Sequence, residues 1–284
     1  MTSFGAFSLP LALSLLVGGM VLLLPSPMAT YAILAAIVVG GMPHGGLDLL
    51  LARHRFALDT LTATFAFFVG YVILAAAVVA LWISFPTVAL VLFLAYSALH
   101  FGGDLAENTA LGATFAGLFV LGLPALTDMA DTAAIFAMLG ADGSIVATTL
   151  AMAGVGGGIA AALDAKDRLR MIGVMASLAM LSWLVPPLVY FFIYFCGIHA
   201  PLHIKRVSRE CRMSERAVLK QGLTLALVAA VAMAVAVFLL IPQIGWSDAM
   251  MRAVFIGFAA LTVPHMLLVD LGPSLAKALE RESA

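Results

Sequence analysis

Ten runs of mostly apolar residues, broken by Pro, Gly or charge, narrow what this chain can fold into more than any other feature. They lie near Ala6–Leu24, Met28–Leu51, Thr62–Trp82, Val88–Gly103, Ala110–Thr127, Ile145–Leu163, Leu169–Val185, Leu188–Ile204, Val218–Ile241 and Met250–Leu271. A helix needs about 20 apolar residues to cross a hydrocarbon core of about 30 Å. Inside that core each backbone amide must be satisfied within its own segment, which favours helices. The expected fold is all-α, a polytopic transmembrane helix bundle of about ten spans forming a single transmembrane domain over residues 1–284. Composition agrees, since 64% of residues are hydrophobic and 10% charged, where soluble domains carry roughly a quarter charged. The run from Phe7 to Leu24 lacks the basic start of a secretory signal and leads straight into another apolar run, so it reads as the first span.

Short uncharged links at Pro25–Pro27, Phe85–Pro86 and Pro186–Pro187 make the helices they join antiparallel neighbours. The least regular stretch is Ala110–Ile145, where Asp128, Asp131 and Asp142 flank a short interfacial helix expected at Thr132–Leu139.

Charge orients the spans, because short cytoplasmic loops are enriched in Lys and Arg. With ten spans and a cytoplasmic N-terminus, the inner segments hold Arg53, Arg55, Lys166, Arg168, Arg170, Lys205, Arg206, Arg209, Arg212, Arg216, Lys220, Lys277 and Arg281. Of the 14 basic residues, only Arg252 falls outside. Both termini are therefore expected in the cytoplasm, in a multi-pass protein of the cell inner (cytoplasmic) membrane. A net charge of −1 points away from nucleic acid. Cys196 and Cys211 form neither a disulfide framework nor a CxxC metal site.

Five of the 6 histidines fall in or near spans: His44 in PHGGLD, His100 in SALHFGGD, His199 and His203 in FCGIHAPLH, and His265 in VPHMLLVD. Polar side chains inside a membrane are costly and generally mark function. All five lie toward the cytoplasmic ends of even-numbered spans. At about 1.5 Å per residue, His203, His199 and His44 sit within roughly 3–13 Å of the inner boundary. His199 and His203 are spaced i,i+4, which places two imidazoles on one α-helical face, able to reach one metal. His44 and His100 can complete the set from two other helices. Imidazole suits Zn, Cu, Fe and Ni, whereas Mg and Ca want oxygen.

Neutral ligands leave a divalent ion its full charge, so carboxylates are expected to orient the rings. Asp48 follows His44 by four residues, Asp104 follows His100 by four and Asp270 follows His265 by five. His54, between Arg53 and Arg55, reads as a solvated loop residue. Pro43, Gly45 and Gly46 around His44, and Gly102 and Gly103 after His100, bend helices or permit close backbone approach. The aromatic run Tyr190, Phe191, Phe192, Tyr194 and Phe195 reads as packing, with an apolar substrate channel as the alternative.

PHGGLD, the H-F-G-G-D element, HAPLH and PHMLLVD, in this order and on this hydropathy profile, resemble the Brp/Blh family of bacterial and archaeal membrane β-carotene 15,15′-dioxygenases. The resemblance runs from Gly41 to Asp270. It implies a non-haem iron enzyme that uses Fe(2+) and O₂ to split β-carotene at its central double bond into two molecules of all-trans-retinal, typically feeding a rhodopsin. Carried over by motif, the iron ligands are His44, His100, His199 and His203. His265 enters the site as a fifth ligand or a group behind the ligands, and Asp48 joins it there. The family often has Ser between the paired histidines, where this chain has Ala200. A C40 hydrocarbon partitions into the bilayer, so an embedded enzyme can admit it laterally. The reading from another class is a membrane transporter whose buried histidines move metal or protons; it expects polar residues through the full membrane depth, whereas the outer halves of these spans are almost purely apolar.

Overall fold

The computed structural model describes residues 8–56, 58–105 and 109–275. Ala6, Phe7, Lys277 and Arg281, which enter the expected span boundaries and charge balance, lie outside the described residues. Among those described there are helices and no strand. They are α1 (Ser8–Val21), α2 (Met28–Gly45), α3 (Asp48–Phe56), α4 (Leu61–Ser84), α5 (Pro86–Gly102), α6 (Ala110–Thr127), α7 (Met129–Met138), α8 (Gly143–Asp164), α9 (Arg168–Leu184), α10 (Pro187–Tyr194), α11 (Ala200–Glu210), α12 (Glu215–Ile244) and α13 (Trp246–Met266). Two π-helical turns, Phe195–His199 and Leu267–Leu271, adjoin α10 and α13.

Seven helical stretches are long and apolar enough to cross a membrane: Met28–Phe56, Leu61–Ser84, Ala110–Thr127, Gly143–Asp164, Pro187–Glu210, Glu215–Ile244 and Trp246–Leu275. They coincide with seven of the ten expected spans. The other three expected spans form shorter helices, α1 of 14 residues and α5 and α9 of 17 each. Most of α4 and α12 is exposed yet apolar, with Phe65, Val72, Ile73, Leu227, Val228, Phe238 and Leu239 facing outward. In water such surface would be a liability; around a membrane protein lipid covers it.

Helix limits follow from local chemistry. Pro86 and Pro187 occupy the first turn of α5 and α10, where a missing N–H costs nothing. The side chains of Thr109, Asp128, Asp142, Asp167 and Ser214 each accept a hydrogen bond from a backbone N–H three residues on, capping α6, α7, α8, α9 and α12. Gly245, at φ 80°, ends α12 in a conformation that favours glycine. Asp128 and Asp142 are thus caps, and the helix expected at Thr132–Leu139 begins earlier, at Met129. The run Met28–Leu51 is broken at Gly46–Leu47, and α3 starts at Asp48. His54 is exposed as expected but lies within α3 rather than in a loop.

The chain divides into two compact units. The first comprises Met1–Leu34 and Phe85–His199. In it α6 packs against α5, α7, α8, α9 and α10, while α1 packs on α10 and its π turn. Small residues allow this: a Cβ on Gly102 would fall on the carbonyl oxygen of Ala113, and one on Gly117 on that of Ala98. Such close backbone approach replaces the hydrophobic drive that helices in lipid lack. The second unit comprises Ala35–Ser84 and Ala200–Ala284. Its core holds Leu47, Leu51, Ala52, Val207, Val218 and Leu268, and α13 packs on α4 and α12. Arg55 ties three of its segments together: Nε and an Nη donate to the two Glu210 carboxylate oxygens at 2.7 and 2.9 Å, and the other Nη reaches the Leu268 carbonyl at 2.5 Å.

Candidate metal centre

The second unit gathers three histidines. His44 lies in the last turn of α2 beside Pro43, and just past the helix end Gly46 passes so close to α12 that a Cβ would meet the Gly222 carbonyl oxygen. His203 comes from α11 and His265 from α13, next to Pro264. All three are buried. Their ring centroids are 5.7 Å apart for His44 and His203, 5.3 Å for His44 and His265, and 4.9 Å for His203 and His265.

Two of these rings have their Nδ1 committed behind them. The Nδ1 of His44 donates to the Gly41 carbonyl one turn back in α2, and that of His265 donates to Asp48 Oδ1 at 2.6 Å. The other Asp48 oxygen lies 2.8 Å from the hydroxyl of Tyr71 on α4, which is also 2.8 Å from the Leu261 carbonyl. Asp48 is buried, so its charge acts through a medium of low dielectric.

The first unit holds a pair built alike. His100, near the end of α5, and His199, the last residue of the π turn, are buried with centroids 5.1 Å apart. His199 Nδ1 donates to Asp104 Oδ2 at 2.8 Å, and the Tyr194 hydroxyl stands 3.3 Å from the same oxygen. Phe101 meets the His199 ring edge-on at 4.5 Å and Phe195 stacks on it at 5.7 Å. Tyr190, Phe192, Tyr194 and Phe195 are buried, which fits the packing reading of the aromatic run.

The carboxylates do not serve the histidines four residues before them. Asp48 starts a new helix after the break in α2 and orients His265. Asp104 lies in the turn beyond α5, with its N–H on the Phe101 carbonyl, and orients His199. Asp270 is exposed. His199 stands beside His100, and His203 beside His44 and His265. Tyr71 and Tyr194 gave a sequence reading little to find. Their one signal is a hydroxyl set into an otherwise apolar aromatic stretch.

Metal-binding histidines almost always donate their second ring N–H to a carboxylate or a backbone carbonyl. His44, His199 and His265 all do so. Imidazole nitrogens bind at about 2.0–2.1 Å, so rings sharing one ion stand roughly 5 Å apart, close to the spacings in both groups. Among the described residues no group of three or more His, Cys, Asp or Glu side chains stands as a ready-made metal centre. Donor chemistry and the orientation of the rings are what fit these residues to a metal.

The family model for β-carotene 15,15′-dioxygenase matches residues 35–271. A curated β-carotene 15,15′-dioxygenase from uncultured marine bacterium 66A03 is 28% identical over 256 residues, which span 84% of this chain and 91% of that protein. No solved structure matches the chain.

Proposed function

We infer the function from the family: the chain belongs to the β-carotene 15,15′-dioxygenase family, whose model covers it over residues 35–271. Within that family, we propose that it splits the central 15,15′ double bond of β-carotene with O₂, giving two molecules of all-trans-retinal. The observation that carries this reading is the commitment of Nδ1 in His44, His199 and His265 to an acceptor behind each ring.

The metal is Fe(2+), and the ligand set carried over from the resemblance is His44, His100, His199 and His203, with His265 as a fifth ligand or a group behind the ligands. Bound iron supplies the activation of O₂ that a side chain cannot. The protein's own residues do the rest. Gly41, Asp104 and Asp48 hold the Nδ1 hydrogens and so fix the rings, while the two buried carboxylates offset the ion's charge. Phe101 and Phe195 shield His199 from water. An apolar substrate needs no ionic contact, and burial of its surface at about 25 cal/mol per Å² supplies affinity. The protein works in the cytoplasmic membrane, and its product serves a retinal-binding protein such as a rhodopsin.

Iron-loaded protein in detergent, given β-carotene and ¹⁸O₂, should consume both about equally and yield retinal as the only major product. Each aldehyde should carry one labelled oxygen when trapped before exchange with water. Folded, iron-loaded protein that left carotenoids intact and instead moved metal or protons across vesicles would favour the transporter reading.

A further inference from the structure

We propose that Tyr71 is a positioning residue for the metal centre, acting on His265 through Asp48; this rests on the metal reading above. The helix α4 is apolar along its length and uses Phe at positions 65, 67 and 68. Only at position 71 does an aromatic residue of this helix carry a hydroxyl. Phe would serve packing equally well, so the oxygen has another task. Its two neighbours, Asp48 Oδ2 and the Leu261 carbonyl, are both acceptors at 2.8 Å. The hydroxyl has one hydrogen, and the carboxylate is the stronger acceptor.

Leu261 lies one helical turn before His265, so Tyr71 touches both the backbone turn that carries His265 and the carboxylate that orients its ring. Asp48 thereby has a donor on each oxygen, His265 Nδ1 on one and Tyr71 on the other. With Tyr71 in place the carboxylate cannot turn, Nδ1 of His265 keeps its hydrogen, and the ring keeps its place against His44 and His203. Without it, Oδ2 is a buried charged acceptor that has lost its donor. The carboxylate then reorients, and the imidazole with it.

The experiment uses the full-length protein in detergent as wild type, Tyr71→Phe, Asp48→Asn and His265→Ala. Apparent Fe(II) affinity is read by competition with a chelator, and ligand geometry from the visible spectrum of Co(II)-loaded protein. Tyr71→Phe should weaken Fe(II) binding roughly 10-fold, within the 10–100-fold range of partners behind metal ligands. It should also shift the Co(II) bands in the same direction as Asp48→Asn. Unchanged affinity and bands in Tyr71→Phe, with both altered in Asp48→Asn, would overturn the role of Tyr71 and leave the metal reading intact. A wild type that binds neither ion would bring down both. If Tyr71→Phe does not fold, 3-fluorotyrosine at position 71 keeps the hydroxyl as a stronger donor, and an unmoved Co(II) spectrum then counts against the proposal.

Discussion

The Nδ1 of His265 and the Oδ1 of Asp48 stand 2.6 Å apart although 217 positions separate them in the chain. This bond and its counterpart between His199 and Asp104 at 2.8 Å give two histidines a defined tautomer in a region of low dielectric. An imidazole that donates its Nδ1 hydrogen in a hydrogen bond to a carboxylate is a stronger base at Nε2, the property a metal ligand needs.

Asp48→Asn and Asp104→Asn keep the shape of each side chain and remove its charge. Each should lower iron affinity about 10–100-fold. Iron titration of the purified variants checks this, and wild-type affinity in both would mean that the carboxylates serve packing alone.

Replacing His44, His100, His199 or His203 by Ala should lower both iron content and carotenoid cleavage, since each change would remove one imidazole from the proposed ligand set. His54→Ala, at an exposed position of α3, should alter neither. His265→Ala should lose activity while retaining part of the iron. Elemental analysis beside a retinal assay reads both quantities, and full iron in His199→Ala would count against its place in the ligand set.

Two glycines are expected to tolerate no side chain. In Gly46→Ala and Gly102→Ala the new methyl would collide with the backbone carbonyls of Gly222 and Ala113, which cannot yield as a flexible side chain would. Overpacking costs about 1–3 kcal/mol, sometimes more, so both variants should melt at lower temperature or fail to accumulate. Gly45→Ala opens onto free space and serves as the control. Thermal melts of the three in one detergent make the comparison, and equal midpoints would refute the close crossings.

Topology has its own test. If ten spans are crossed, all basic residues but Arg252 fall on one side, and both termini are then expected in the cytoplasm. Reporters fused at Ala284 and inserted at Gly245 should then report opposite sides of the membrane. Reports from the same side would revise the span count.

Much of the fold could be read directly from the amino acids, because hydropathy and local charge act within a few residues of one another. The apolar runs and the burial of five histidines are of this kind. So is the exposure of His54 beside two arginines. The pairing of groups is not local, and spacing along the chain misleads there. Asp48 stands four residues from His44, yet the break at Gly46–Leu47 turns it toward His265. Tyr71 gained its place only when α4, α3 and α13 were packed together. Helices follow from chemistry between near neighbours in sequence, whereas hydrogen-bond partners inside a low-dielectric core are chosen by which helices meet and at what depth.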